Sequence, residues 1–399
     1  MSYNHITNDQ QLAGYCDELA RAEVIAFDTE FVSEHTYRSQ LCLIQVCTPQ
    51  GLAIIDPLEI GNLPRFWEVL ATGNHQTIVH AGREELVFCL AAVGKPPANM
   101  IDVQIAAGLV GGEFPAGYGS LLGRLLNVSA QKGETRTDWR RRPLSKQQLE
   151  YALDDVRYLI PLRDKLEARI AKLGRQSWLA EEMQSFQEEV AASRTRERWR
   201  RVSGLSGLSP RSLAIAREVW RWREAEAQRR DVPARQVLRD DLLVELSKRR
   251  TADPRQVRAV RGMERNELQR AIPKIAEHVQ VALDLPNEEL PFSERREVPN
   301  QITVLGQFLS SALTSLCRQQ DLAPALVGTA SDVRDLIAYR LGYWNDPPPA
   351  LACGWRANVV GTSIDDLLAG KLSIRITDPL SDHPLVFEPS AAASAPKHD

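Results

Sequence analysis

Asp28 and Glu30 stand two residues apart at the end of the apolar run Val24-Ile25-Ala26-Phe27. In an extended strand, residues so spaced share a face, so two carboxylates project together from a rigid element. Side by side they repel unless something positive neutralises them, and a divalent cation is the simplest solution. A polar strand end in water is the competing reading of any lone Asp-x-Glu. Tyr151 and Asp155 are four apart in a helical stretch and share its face. Together a phenol and a carboxylate can hold a metal and orient an attacking water; a half-buried tyrosine beside a surface aspartate is the alternative. Asp154 points about 100° away from Asp155 on that helix and reads as structural. Six scattered cysteines form no CxxC pair, and the seven histidines are equally dispersed, which argues against a zinc site. Oxygen donors remain, and they suit magnesium or manganese.

The elements that must position these residues follow from periodicity. Residues 24–28, 41–47 and 52–55 are short apolar runs, the last two separated by Pro49-Gln50-Gly51, and read as three consecutive, antiparallel strands. A helix over 65–72, a strand at 77–80, a helix at 83–93 and a strand near 100–103 then give a mixed α/β sheet. The stretch 145–173 reads as one long helix, with Ser145 and Gln148 spaced as a capping box and Gly174 as its stop. From 176 to 285 no convincing strand is found: Leu213, Ala216, Val219 and Trp220 recur at helical spacing, as do Leu242, Leu243 and Leu246. An acidic, proline-containing linker over 286–300 leads to a further helical region, and the polar tail 381–399 reads as disordered.

A chain of 399 residues is too long for one ordinary core. Its net charge of −3 excludes little, but residues 193–230 hold eleven arginines against four glutamates. That stretch is either a nucleic-acid footprint or the solvated face of long helices. No apolar run reaches the roughly 18–20 residues of a membrane span. The N-terminus lacks the pattern of a signal peptide, and unpaired cysteines fit a cytoplasmic protein.

In combination the motifs are more specific. The acidic pair, His80-Ala-Gly-Arg-Glu-Glu-Leu after a later strand, and Tyr-x-x-x-Asp on a closing helix resemble the exonucleases named for four acidic residues and a tyrosine. Ala26-Phe-Asp-Thr-Glu-Phe, Leu43-Ile-Gln, Ile55-Asp-Pro-Leu, Arg136-Thr-Asp-Trp and Arg142-Pro-Leu-Ser look like ribonuclease D in particular. The resemblance implies an α/β ribonuclease H-like exonuclease domain over residues 1–175, followed by a helical connector (176–204). An HRDC domain (205–285), the linker and a second HRDC-like helical domain (301–380) complete it, so two all-α helical bundles follow the sheet. It implies 3′→5′ hydrolysis of RNA to nucleoside 5′-monophosphates with two divalent ions, Mg²⁺ or Mn²⁺, in tRNA 3′-end processing, with a monomer favoured and no membrane partner. Asp28 would bridge the ions, Glu30 and Asp155 would complete the nucleophile side, and Tyr151 would orient the water.

At one position the chain departs from the family, which has aspartate where Glu85 stands. Glu85 then ligates the second metal directly or through water, or the site holds one ion well and the other poorly, or Glu84 substitutes through a shifted helix. Arg136, Trp139 and Arg140 precede the catalytic helix and are candidate RNA contacts, with Trp139 equally readable as packing. Asp102, Asp138 and His80 read as structural. The rival functions are a DNA 3′→5′ exonuclease of the same fold and an RNA-binding protein with a weakened site.

Overall fold

The computed structural model describes residues 3–129, 137–291, 298–343, 347–381 and 384–390. The six-stranded sheet has the order β1-β4-β3-β2-β5-β6, formed by β1 (Asn4–Ile6), β2 (Val24–Val32), β3 (Gln40–Thr48), β4 (Gly51–Ile55), β5 (Gln76–Val79) and β6 (Met100–Asp102). The expected meander is present: β2 pairs antiparallel with β3, and β3 with β4. The other three pairings are parallel. Strand β1 was not foreseen, because three residues carry no usable periodicity.

Numbering helices of six residues or more, α1 (Asp9–Leu19), α2 (Pro64–Thr72), α3 (Arg83–Val93) and α4 (Val103–Gly108) precede the closing helix α5 (Lys146–Arg157). The capping box forms as expected, Ser145 accepting from the Gln148 N–H and Gln148 reaching back to the Ser145 N–H. The single long helix is, however, two. It breaks at Tyr158 (φ −108°, ψ 4°) and resumes as α6 (Leu159–Lys172). Pro161 lacks the N–H that would bond the Arg157 carbonyl one turn back, and its ring crowds that carbonyl.

After α7 (Gln176–Thr195) come α8 (Pro210–Arg230), α9 (Asp240–Arg249) and α10 (Asn266–Asp284), a bundle with its own core of Leu213, Ile215, Val219, Leu243, Met263 and Ile275. Several arginines of the basic stretch are engaged within the molecule. Arg211 caps the end of α10 through the Ala282, Leu283 and Leu285 carbonyls. Arg217, Arg221, Arg223, Arg229 and Arg230 pair with acidic neighbours. The solvated-helix reading therefore accounts for most of the basic stretch.

The later helices α11 (Asn300–Gln319), α12 (Ala330–Arg340) and α13 (Thr362–Leu368) behave differently. Their buried residues, among them Leu313, Leu336 and Ile364, and Trp355 in the segment before α13, belong to the same continuous core as the sheet. The Trp355 ring stacks on Trp178 of α7 at 5.1 Å and its Nε1–H donates to Glu182 (2.8 Å). Arg356 pairs with the same glutamate. Arg175 donates to the Leu109 and Asp321 carbonyls (2.7 and 2.9 Å), and the Ala323 N–H to the Gly108 carbonyl (2.8 Å). The tail is less disordered than expected: β8 (Leu385–Pro389) pairs antiparallel with β7 (Leu372–Ile376), and Phe387 packs on the main core. Residues 391–399 lie outside the described residues.

Candidate active site

Strand β2 divides its side chains by parity. Phe27 meets Phe66 and Trp67 of α2 edge-on, with centroids 6.2 and 6.0 Å apart, and Phe31 meets Phe88 of α3 at 5.9 Å. Alternation then sends Asp28 and Glu30 to the opposite face, where α5 packs on β2 and β3. Opposite Asp28 on β3 lies Gln45, fully buried, whose Nε2–H donates to Asp28 Oδ2 at 3.3 Å. A register shift follows Glu30, so the acidic pair stands where regular pairing ends, as bulges near functional sites often do.

Strand β5 pairs with β2 only as far as Ala26. Beyond that point α3 packs on β2 instead, and Glu85 in its first turn fills the place beside the acidic pair. Glu85 is 4% exposed. It accepts from the Thr29 hydroxyl at 2.5 Å and hydrogen-bonds Asp28. Its entry depends on a tight turn: Ala81 is left-handed (φ 53°), and a Cβ on Gly82 would fall 2.3 Å from Val79 Cγ2. Asp102 orders that turn by accepting from the Ala81, Gly82 and Gln104 N–H groups (3.0, 2.9 and 2.8 Å), the structural role expected of it. His80 contacts the Ala116 carbonyl at 2.9 Å, and burial lowers its pKa against the opposing pull of Asp102; it is a packed, hydrogen-bonded imidazole. Glu84, the conceivable substitute, points away to Ser39 (3.4 Å).

From α5, Asp155 reaches the same group and is hydrogen-bonded by Tyr151. Asp154 instead pairs with Arg157. The electrostatics follow from enclosure. Burial first and then Asp155 push the Asp28 carboxyl up to about 7. Burial, then Asp28, Asp155 and Glu85, push Glu30 up to about 9. Burial and then Asp28 raise Glu85 to about 8, and burial and then Asp154 raise Asp155 to about 7. Four acids from three elements thus crowd one another, and ionising them together requires an external cation. Among the described residues no three such donors stand close enough to grip an ion as placed. The donor set itself, oxygen only and anionic, fits hard divalent cations.

The candidate RNA contacts fare unevenly. Trp139 is 2% exposed and packs with Tyr151 (centroids 6.3 Å) among Cys42, Leu43, Ile54, Ala152 and Leu153. The packing reading is correct for it, and its ring is not offered to a base. Arg140 is paired with Asp138 of its own loop at 2.8 Å. Arg136 lies outside the described residues. Arg142, in the sequence a member of the Arg-Pro-Leu-Ser motif with no role of its own, anchors this loop. Its guanidinium clamps buried Asp56 (2.5 and 2.7 Å) and donates to the Trp139 and Cys42 carbonyls (2.8 Å each). Gln45 was likewise given no role. A glutamine inside the otherwise apolar Leu-Cys-Leu-Ile-Gln-Val-Cys was the available signal.

Comparison with known proteins agrees with this geometry. A family model described as 3′-5′ exonuclease matches residues 3–171, and an HRDC domain model matches residues 212–279. Ribonuclease D of Jannaschia sp. (strain CCS1) is 32% identical over 378 residues, covering 92% of this chain and 96% of that protein. Ribonuclease D of Zymomonas mobilis is 31% identical, covering 93% and 95%. Among solved structures, the chain is similar to Escherichia coli RNase D, an exoribonuclease involved in structured RNA processing, with a TM-score of 0.81, 28% identity and coverage of 92% and 99%.

Proposed function

The chain belongs to the ribonuclease D family of metal-dependent 3′→5′ exoribonucleases, and from that premise we propose that Asp28, Glu30, Glu85 and Asp155 are its metal-binding residues and that it trims the 3′ ends of tRNA precursors. The observation that carries the site is the convergence of four buried carboxyl groups from β2, α3 and α5, each acted on most strongly by burial and by acidic neighbours. A pair of divalent cations, Mg²⁺ or Mn²⁺, held by these carboxylates would supply positive charge for the displacement at phosphorus. Asp28 lies among the other three acids, interacting with Glu85, Glu30 and Asp155, which supports a central role for it in holding the ions. Gln45 holds one Asp28 oxygen from the sheet side.

Tyr151 would orient the attacking water, a role supported by its hydrogen bond to Asp155. Glu85 supports the second ion site, since its longer arm ends against Asp28 and Thr29 and not in solvent. Five of the six free cysteines are buried, which supports a reducing, cytoplasmic setting. No helix among the described residues is long and apolar enough to cross a membrane. A monomer is the oligomeric state we favour.

Hydrolysis of 3′-labelled RNA with Mg²⁺ or Mn²⁺ tests the site: nucleoside 5′-monophosphates are expected, and Asp28→Asn should abolish their release. Equal near-zero rates for wild type and variant with both ions would refute it. Matched RNA and DNA strands test the sugar preference. A precursor tRNA with a 3′ extension, set against an unstructured RNA of equal length, tests the substrate; no preference for the precursor would end the tRNA assignment.

A further inference from the structure

The loop between β2 and β3 leaves the acidic pair and meets the helical bundle at one residue. Tyr37 packs against the bundle core. Its N–H donates to Asp231 Oδ1 (3.1 Å) and its hydroxyl to Glu224 Oε2 (3.2 Å). Glu224 is held in turn by Arg223, which bonds the Leu238 carbonyl and Asp240. Beside this contact opens a cleft of about 620 Å³, walled by the loop on one side and by Gln228 and Asp231 at the end of α8 on the other. A volume of that order is typical of ligand pockets. One wall leads back to the site, since Ser39 lines the cleft and donates to Glu84, the neighbour of Glu85. Arg38 also lines it, exposed, and its guanidinium has no hydrogen-bond or ion-pair partner among the described residues. The acidic group in the cleft, Asp231, is turned to the Tyr37 N–H.

We propose that this cleft is a subsite for the single-stranded RNA just upstream of the scissile phosphate, in which Arg38 pairs with a backbone phosphate and Tyr37 fixes the bundle wall. The inference rests on the exoribonuclease reading above. An exposed guanidinium with no internal partner forks naturally onto phosphate oxygens. The Gln228 and Gln40 amides offer donors and acceptors to sugar and base. Because Tyr37 is six residues past Phe31 on a loop continuous with β2, its bonds to Asp231 and Glu224 tie the bundle to the catalytic strand.

The test is binding of a 5′-fluorescein oligoribonucleotide to the full chain by anisotropy, in EDTA so that nothing is hydrolysed, over a range of salt. Arg38→Ala should weaken binding about tenfold at low salt and reduce the slope of log affinity against log salt by about 0.7, the value for one phosphate contact on a single strand. Arg38→Lys should restore the slope. Tyr37→Ala should weaken binding, while Tyr37→Phe, which keeps the packed ring, should lie between it and wild type. An unchanged slope in Arg38→Ala, or a slope in Arg38→Lys as shallow as in Arg38→Ala, overturns the proposal. Hydrolysis of 3′-labelled RNA by wild type with Mn²⁺ runs in parallel. Its failure would count against the exoribonuclease reading, whereas an unchanged slope in an active enzyme counts against the cleft alone.

Discussion

Replacing Arg142 by methionine removes the guanidinium that ties the Trp139 loop to the sheet. Five hydrogen bonds disappear: two to Asp56 and one each to the Trp139, Arg141 and Cys42 carbonyls. Asp56 is left almost fully buried, with the Leu58 N–H at 3.1 Å as its remaining side-chain hydrogen bond among the described residues. Breaking a buried pair in this way costs about 3–5 kcal/mol. The Arg142 side chain keeps 23% of its exposure, so the low end, about 3 kcal/mol, is expected. The magnitude is a penalty for the stranded charge more than the worth of the bridge. Neutralising Asp56 should therefore recover stability, and Asp56→Asn/Arg142→Met should be destabilised by only about 1–2 kcal/mol. Urea unfolding followed by tryptophan fluorescence measures this, because Trp139 sits inside the affected layer. A double variant no more stable than Arg142→Met would refute the reasoning. It would mean that the cost lies in the lost carbonyl contacts and not in Asp56.

Glu85→Asp should lower kcat about tenfold to a hundredfold, because the shorter arm gives up the Thr29 hydroxyl and a displacement of about 1 Å matters in positioned catalysis; a gain in hydrolysis of 3′-labelled RNA would show that the natural glutamate impairs the site. The ion-free protein should lose stability as pH rises. Asp28, Glu30, Glu85 and Asp155 bind protons more tightly folded than unfolded, so their contribution is complete below about pH 4 and is lost through about 7 to about 9. Thermal melts in EDTA should fall across that window and Mn²⁺ should flatten the fall; a rise with pH in EDTA would contradict the enclosure of these acids. Trp355→Ala should cost about 3–5 kcal/mol and lower the urea midpoint of the exonuclease core together with that of the C-terminal helices, leaving the α8–α10 bundle unchanged. Separate loss of the C-terminal helices alone would deny the shared core.

Local signals made much of the site legible. The apolar run into Asp28 specified β2, and the Ser145–Gln148 spacing specified the start of the helix that carries Tyr151 and Asp155. Placing Glu85 at a helix start was also a local matter. The residues that hold these groups could not be found that way, because their partners are distant in sequence. Gln45 serves Asp28 through strand register, Arg142 serves Asp56 across 86 residues, and Thr29 serves Glu85 across 56. Trp139 shows the converse error: an aromatic beside arginines suggests stacking on a base, and only the tertiary packing reveals it as core. The break at Tyr158 was readable in Pro161 but was masked by apolar periodicity on both sides. The fusion of the last helices with the sheet left no local trace, since a helix face reads the same whichever neighbour covers it.

That fusion makes the α8–α10 bundle an insertion. The catalytic body is assembled from two stretches of chain, with the bundle spliced between Thr195 and Asn300. During synthesis the sheet emerges first, but the core it shares with Trp355 and Ile364 is complete only once those residues have left the ribosome, after the whole bundle has emerged. The order of translation and the order of completion are thus reversed: the enzyme's middle can be finished before its beginning.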